Sequence, residues 1–102
     1  MSLDGWDEVF ERIRAVFFQT NGISINNFGV TLHGKSKVVK LTAAAEPAAS
    51  IFLQTAEGHN LVPLASWHRQ SDGHWLSSEG NLQTKSEMVD AVESLCKKTL
   101  LG

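Results

Sequence analysis

The sequence predicts an α+β domain in which an antiparallel sheet of five to six strands is covered on one face by a helix from each end of the chain. Apolar residues recur at helical spacing in both terminal segments, and extended segments separated by turn residues fill the middle. The 102 residues suffice for one domain, residues 1–102. Because each amphipathic helix must cover its apolar stripe, we expect both helices on one sheet face, with the other face left open.

Composition restricts the kinds of partner and the location. The formal net charge of −2 is too near neutral to favour nucleic acid or an anionic membrane surface. No apolar run reaches the roughly 20 residues that a bilayer span needs. The N-terminus lacks the pattern of a signal peptide, so a cytoplasmic location is expected. The single cysteine, Cys96, excludes an intramolecular disulfide.

The first helix is predicted from about Leu3 to Gln19. Acidic residues crowd its first half while Arg12 and Arg14 come later, an order that complements the helix dipole. Asn21-Gly22 supplies residues suited to ending the helix. The predicted apolar stripe consists of Leu3, Trp6, Val9, Phe10, Ile13, Val16 and Phe17.

The middle of the chain alternates between strand and turn patterns. Ala43–Ala49 is interpreted as a connection broken by Pro47, and Pro63 is expected at a bulge or where its missing N–H faces no partner. Glu57-Gly58, Ser71-Asp72-Gly73 and Glu79-Gly80 are expected turns. The predicted strands are Ile23–Ile25, Phe28–Leu32, Lys37–Thr42, Ser50–Thr55, Leu61–His68 and His74–Ser77.

A capping box opens the second helix. In Thr84-Lys85-Ser86-Glu87, the threonine hydroxyl can accept from the Glu87 N–H while the glutamate side chain reaches back to the Thr84 N–H. The predicted apolar stripe of this helix consists of Met88, Val89, Val92, Leu95, Cys96 and Leu100.

The order helix, strands, helix is that of frataxins, and short motifs agree with it. Frataxins carry a proline, then Gln-Ile-Trp-Leu-Ser, then a turn glycine; here Pro47 leads to Ser50-Ile51-Phe52-Leu53-Gln54 and Gly58. Their last strand reads Trp-x-x-Ser-x-Asp-Gly, where this chain has Trp75-Leu76-Ser77-Ser78-Glu79-Gly80, and Gly29-Val30 resembles their Gly-Val. The chain therefore resembles the frataxin family from roughly Gly29 to Leu95.

That resemblance implies a frataxin-type fold and, as function, partner binding with some handling of iron. Frataxins present an acidic ridge along the first helix and first strand, and the ridge is implicated in iron binding. Here the helix part is available, but Ser24, Asn26 and Asn27 leave the strand part uncharged. Phe52 replaces the tryptophan of the sheet surface and Ser50 the glutamine before it.

The acidic set on the first helix is the candidate metal site: Asp4, Asp7, Glu8 and Glu11. Residues three and four apart share a helix face, and carboxylate oxygens suit hard cations. Iron is the one cofactor considered, and its binding is expected to be weak because the carboxylates stop at the helix. The alternative is a solvated acidic first turn that complements the dipole.

Two other polar groups carry weaker hypotheses. His33, His59, His68 and His74 could meet near loop edges and bind a transition metal with Cys96, but none has short ligand spacing, so scattered surface histidines are expected. Lys35, Lys37 and Lys40 could meet an acidic partner or protect a strand against aggregation.

The candidate partner surface is the open sheet face around Phe52, with Ser50 and Gln54. Alternation places Ile51 and Leu53 on one face and these three residues on the other. A register shifted by one would instead place Phe52 in the core, and the pattern leaves both alternatives open. Trp67 and Trp75 are the other aromatic residues on or near the sheet.

No catalytic set can be picked out by spacing, so the prediction is a non-enzymatic, frataxin-like domain that binds a protein partner through its open sheet face. A metal-free scaffold or accessory subunit is the second hypothesis. A dimer resembling secretion chaperones is the third, and it would need a helix between strands. The oligomeric state does not follow from the sequence.

Overall fold

The computed structural model describes residues 5–17, 22–26, 29–34, 37–44, 50–57 and 59–101, with the main chain alone for residues 22–26, 57 and 101. Two helices enclose a run of strands. In chain order the elements are α1 (Trp6–Phe17), β1 (Gly22–Asn26), β2 (Gly29–His33), β3 (Val38–Ala44), β4 (Ser50–Glu57), β5 (Asn60–Arg69), β6 (Trp75–Ser77), β7 (Leu82–Gln83) and α2 (Lys85–Leu101).

The strands form one antiparallel meander in the order β1-β2-β3-β4-β5-β6-β7, so each strand pairs with its neighbour in sequence. This confirms the predicted α+β class. Six strands coincide with the predicted ones, and the two-residue β7 is added at the edge. Three boundaries were wrong. Ala43 and Ala44 belong to β3, where they pair with Ile51 and Ser50. Gly22, expected to end the first helix, begins β1, and Glu57, expected in a turn, ends β4. Pro47, Asn27 and Phe28 lie outside the described residues.

Both helices pack on one face of the sheet, and a single core lies between the layers. Strand residues contribute to it at every second position, as in Val39 and Leu41 of β3 or Ile51 and Leu53 of β4. The buried apolar residues are Trp6, Val9, Ile13, Phe17, Val30, Leu32, Val39, Leu41, Ile51, Leu53, Trp67, Trp75, Met88, Val89, Val92 and Cys96.

Four residues of the predicted helical stripes are only partly buried and pack against the core: Phe10, Val16, Leu95 and Leu100. The Phe10 ring is tilted against that of Trp6, with 6.4 Å between ring centres. The helical stripe is wider than the interface that the sheet offers, so its outer positions remain half exposed. The substitution Phe10→Ala should therefore lower the free energy of unfolding by less than the roughly 3–5 kcal/mol typical of a fully buried phenylalanine.

Helix α1 begins where the chain passes close to the core. Gly5 has a φ of 85°, and a β-carbon there would lie 2.6 Å from the Trp75 ring, so only glycine fits. Its carbonyl accepts the first helical bond from Val9 N–H, at 3.0 Å. Across the helix pair, Arg12 donates to Asp90 at 2.8 Å and to Glu93 at 3.1 Å.

The predicted capping box at α2 is confirmed. Thr84 N–H donates to Glu87 Oε1 at 2.9 Å, and Glu87 N–H donates to Thr84 Oγ1 at 3.2 Å. The main-chain bond from Thr84 lowers the pKa of Glu87. Two donors that the helix start would leave unpaired are thus satisfied.

The predicted irregularity at Pro63 is also confirmed. Gln54 pairs with Pro63 while Leu53 pairs with Ala65, so Leu64 is an extra residue on β5. This bulge places a residue that cannot donate to the ladder at the point where the ladder is interrupted.

Candidate interaction surface

The sheet face away from the helices is called the open face below. Cross-strand partners share a face, so the register defines its members from the known core positions. One row runs Thr42, Phe52, Ser66, and a second runs Thr31, Lys40, Gln54, Pro63. A third runs Ser50, His68, Leu76, Leu82, and Leu61 lies opposite Ala56 at the other end.

Phe52 lies near the middle of this face. Its neighbours Ile51 and Leu53 are 1% and 0% exposed, so the register is the one that places Phe52 opposite the core. The side chain is half-buried, and its ring meets His68 edge to face, with 5.8 Å between ring centres and 78° between planes. Phe52 is thus an apolar group held on a rigid strand and open to contact from outside.

The other two predicted partner residues differ from each other. Gln54 is part-exposed, as expected. Ser50, expected at the contact surface, is buried at 8% exposure, and its hydroxyl lies 2.8 Å from His68 Nδ1. The cross-strand histidine covers it, so a partner would meet His68 where the sequence suggested Ser50.

A depression of about 290 Å³ lies beside Phe52 at the bulge. β5 carries one extra residue there, which bends the strand and interrupts its regular pairing with β4. The depression is lined by Phe52, Leu53, Gln54, Pro63, Leu64, Ala65, Ser66 and Ser78.

Exposed leucines extend the apolar character of this face. Leu61, Leu64, Leu76 and Leu82 are 48%, 36%, 37% and 58% exposed, and all lie on β5, β6 or β7. They are the exposed large apolar side chains of the described chain. Leu82 pairs with Leu76, so these two form a continuous apolar edge. Concentration of apolar groups on one region is typical of interaction sites.

Charge is divided between the two layers. Every carboxylate side chain that the structure describes lies on α1, on α2 or in the turns at Asp72 and Glu79. On the open face the charged or titratable side chains described are Lys40, His33 and His68. The open face is therefore apolar with a weakly basic character, whereas the helices carry both signs, six described carboxylates against five described cations.

The predicted acidic set is only partly visible. Asp4 lies outside the described residues, while Asp7, Glu8 and Glu11 are exposed on α1. Lys85 Nζ lies 3.0 Å from Glu8 Oε1, so one of the proposed oxygen ligands already forms an ion pair. Within the described ranges no group of three or more His, Cys, Asp or Glu side chains could hold a metal ion. Iron binding through the four-carboxylate set stays a prediction.

The remaining candidates do not form a described site. Cys96 is buried in α2, and burial raises its thiol pKa to about 12. His74 Nδ1 lies 3.2 Å from Asp72 Oδ1, across a turn. Trp67 and Trp75 belong to the core. Lys35 lies outside the described residues, so the lysine cluster stays a prediction.

The exposed leucines were missed because β5 loses its alternation at the bulge. Leu61 and Leu64 are three residues apart, and Leu82 belongs to a strand too short for a pattern. The pairing of Leu82 with Leu76 is a consequence of the turn at Gly80, whose φ is 91°. The only sequence signal for β7 was the Glu79-Gly80 turn, followed by a single apolar residue, Leu82.

No described helix is long and apolar enough to cross a membrane. A scan against protein-family models found no match, and neither a curated protein nor a solved structure matches the chain significantly.

Proposed function

We propose that the protein is a non-enzymatic binding domain that docks a protein partner on its open face around Phe52. The observation that carries the proposal is that the exposed leucines of the described chain, Leu61, Leu64, Leu76 and Leu82, all lie on β5, β6 and β7, the strands on one side of the Phe52 strand. Apolar anchors on a rigid surface contribute contact area at low entropic cost.

The charge pattern specifies the partner's chemistry. Lys40 lies on the open face, with His33 and His68, and no described carboxylate accompanies them. A segment that presents apolar side chains flanked by aspartates or glutamates is complementary to such a surface. An amphipathic acidic helix laid across β4–β6 meets both requirements.

The test compares capture by wild-type protein with capture by two surface variants, Phe52→Ser and Leu76→Ser. We expect the partner to be captured by the wild type and by neither variant. Calorimetric titration of the purified partner into the wild-type protein should then show direct binding. Glu11→Gln, on the exposed side of α1, is the matched control and should retain the ligand. A partner lost with Glu11→Gln and kept by both sheet variants would refute the proposal.

The frataxin resemblance supports the same surface, because the family's sheet-surface aromatic corresponds to Phe52. A metal-free scaffold differs from an iron-handling frataxin-like protein in one measurement, an NMR titration with ferrous and ferric iron. Iron handling requires perturbation confined to α1 and removed by replacing Asp4, Asp7, Glu8 and Glu11 with Asn or Gln. The secretion-chaperone hypothesis would need a helix between strands; the described chain has none, and residues 45–49, between β3 and β4, lie outside the described residues.

A further inference from the structure

A second cavity, of about 270 Å³, lies on the helical side of the sheet between α2 and strands β5, β6 and β7. Small side chains leave it unfilled: Ala65 and Ser77 from the sheet face Ala91 and Ser94 from the helix. Its volume is just below the roughly 300–1,000 Å³ of pockets for drug-sized ligands, so it suits a smaller molecule.

One wall of the cavity is apolar and fixed. It is formed by Trp67, which is 3% exposed, with Ala65, Ala91 and Leu95 beside it. Trp67 Nε1–H donates to Gln83 Oε1 at 3.1 Å, which locks both the indole and the amide in place. The Gln83 amide oxygen accepts this bond, and its NH₂ group, for which no bond is described, is a donor on a residue of the cavity lining.

The rim carries opposite charges. Glu79 and Lys98 both line the cavity, and neither has an ion-pair partner among the described residues. The Asn81 and Ser94 side chains, also on the lining, have no described hydrogen-bond partner. Apolar walls with a few unused polar groups are the usual composition of a small-molecule site.

We infer that this cavity binds a small zwitterion with an apolar body, of the class of free α-amino acids with apolar side chains. Glu79 accepts hydrogen bonds from the ammonium group, and Lys98 together with the Gln83 NH₂ donates to the carboxylate. The apolar side chain of the ligand lies against Trp67 and Leu95. This site lies on the helical side of the sheet, and its charged groups, Glu79 and Lys98, do not line the depression beside Phe52.

The experiment is an NMR titration of the ¹⁵N-labelled protein with L-leucine and with L-phenylalanine. The expected result is a Kd below about 1 mM, with shifts of the Trp67 indole N–H and of the Gln83 side-chain amide. The N-acetyl and carboxamide derivatives of the same amino acids each lack one charge, and we expect at least about tenfold weaker binding of each.

Glu79→Gln and Lys98→Met should weaken binding of the amino acids by a similar factor of about ten, while each variant keeps a folded spectrum. Lys97→Met is the matched control, because Lys97 is exposed on the same helix, pairs with Glu93 at 2.9 Å and does not line the cavity. No shift at Trp67 with either amino acid would overturn the inference. Binding of the singly charged derivatives as tightly as the amino acids would overturn it too. So would binding of the amino acids by Glu79→Gln and Lys98→Met as tightly as by the wild type.

Discussion

Phe52 and Leu53 are neighbours in the chain with opposite environments, since the pleat directs one to the open face and the other into the core. We predict that Leu53→Ala lowers the free energy of unfolding by about 2–5 kcal/mol. Phe52→Ser should lower it by about 1 kcal/mol or less, because the ring is half-buried and meets His68 only at its edge. Urea denaturation measures both. A loss at Phe52 equal to that at Leu53 would mean that Phe52 is needed for the fold, and the docking surface would lose its anchor.

Cys96 offers a second prediction at this scale. Its thiol is buried, and burial raises its pKa from an ordinary 9.0 to about 12. Because the thiolate is the reactive form, a thiol reagent such as DTNB at pH 8 should label the native protein far more slowly than the urea-unfolded protein. Rapid labelling of native protein would show that α2 opens locally or is docked differently.

The same thiol gives the stability a pH dependence at high pH. An acid whose folded pKa is raised releases its proton more readily in the unfolded chain, so its contribution is complete below pH 9.0 and is lost as pH rises towards 12. Cys96→Ala should flatten this part of the stability profile, even if its free energy of unfolding at neutral pH is lower.

At the scale of elements, the capping box at the start of α2 is a local device with a measurable effect. Thr84→Ala should lower the free energy of unfolding by about 0.5–2 kcal/mol, because the Glu87 N–H loses its acceptor. Ser86→Ala is the matched control, since Ser86 is exposed in the same turn and takes no part in the two hydrogen bonds between Thr84 and Glu87. A similar loss in both variants would assign the effect to removal of any hydroxyl from this turn and not to the capping bond.

The Glu87 half of the box should be visible in a pH titration. Hydrogen bonding from the Thr84 N–H lowers the pKa of Glu87 below its ordinary 4.5. A carboxyl with a lowered folded pKa stabilises the fold above its ordinary value, and that contribution disappears as pH falls through the folded pKa. Glu87→Gln should remove this acid-side dependence, which thermal unfolding between pH 6 and the acid transition would detect.

Elements with local signals were the predictable ones. The periodicity of α1, the box at Thr84 and the glycine turns at Gly73 and Gly80 each depend on residues adjacent in sequence, and all are present. The bulge at Pro63 was expected because proline cannot donate to a ladder. Strand β7 was not, because two residues carry no period and their pairing is decided by the turn before them.

The candidate surface divides along the same line. Alternation within β4 separates Phe52 from Ile51 and Leu53 but left open which of the two faces is the core, and the structure decides it. Burial of Ser50 depends on His68, 18 residues further along the chain. The grouping of Leu76 with Leu82 likewise depends on cross-strand register. Contacts between strands decide these exposures, and no pattern within one segment contains that information.

For the molecule as a whole, the division of charge between layers has a consequence for association. The described carboxylates are confined to the helices and turns, whereas the open face carries Lys40 with no described carboxylate, although the net charge of the whole chain is only −2. An acidic partner would therefore meet no described like charge on the open face, and Lys40 would favour its approach there. The rate of association with such a partner should fall as salt is added, because screening removes the steering.

The meander makes each strand a neighbour of the next, whereas α1 and α2 meet only across almost the full chain, as in the Arg12–Asp90 pair 78 residues apart. Local hairpins close at lower entropic cost, so we expect them to form before the helices pack.

Ile51→Val in β4 and Ile13→Val in α1 make the same change at two sites that are each 1% exposed. In stopped-flow experiments Ile51→Val should mainly slow folding and Ile13→Val should mainly speed unfolding. Equal partition at both sites would mean that the helices are already docked at the barrier. If the order holds, the helix pair sets how long a folded molecule lasts, and the hairpins set how quickly it is made.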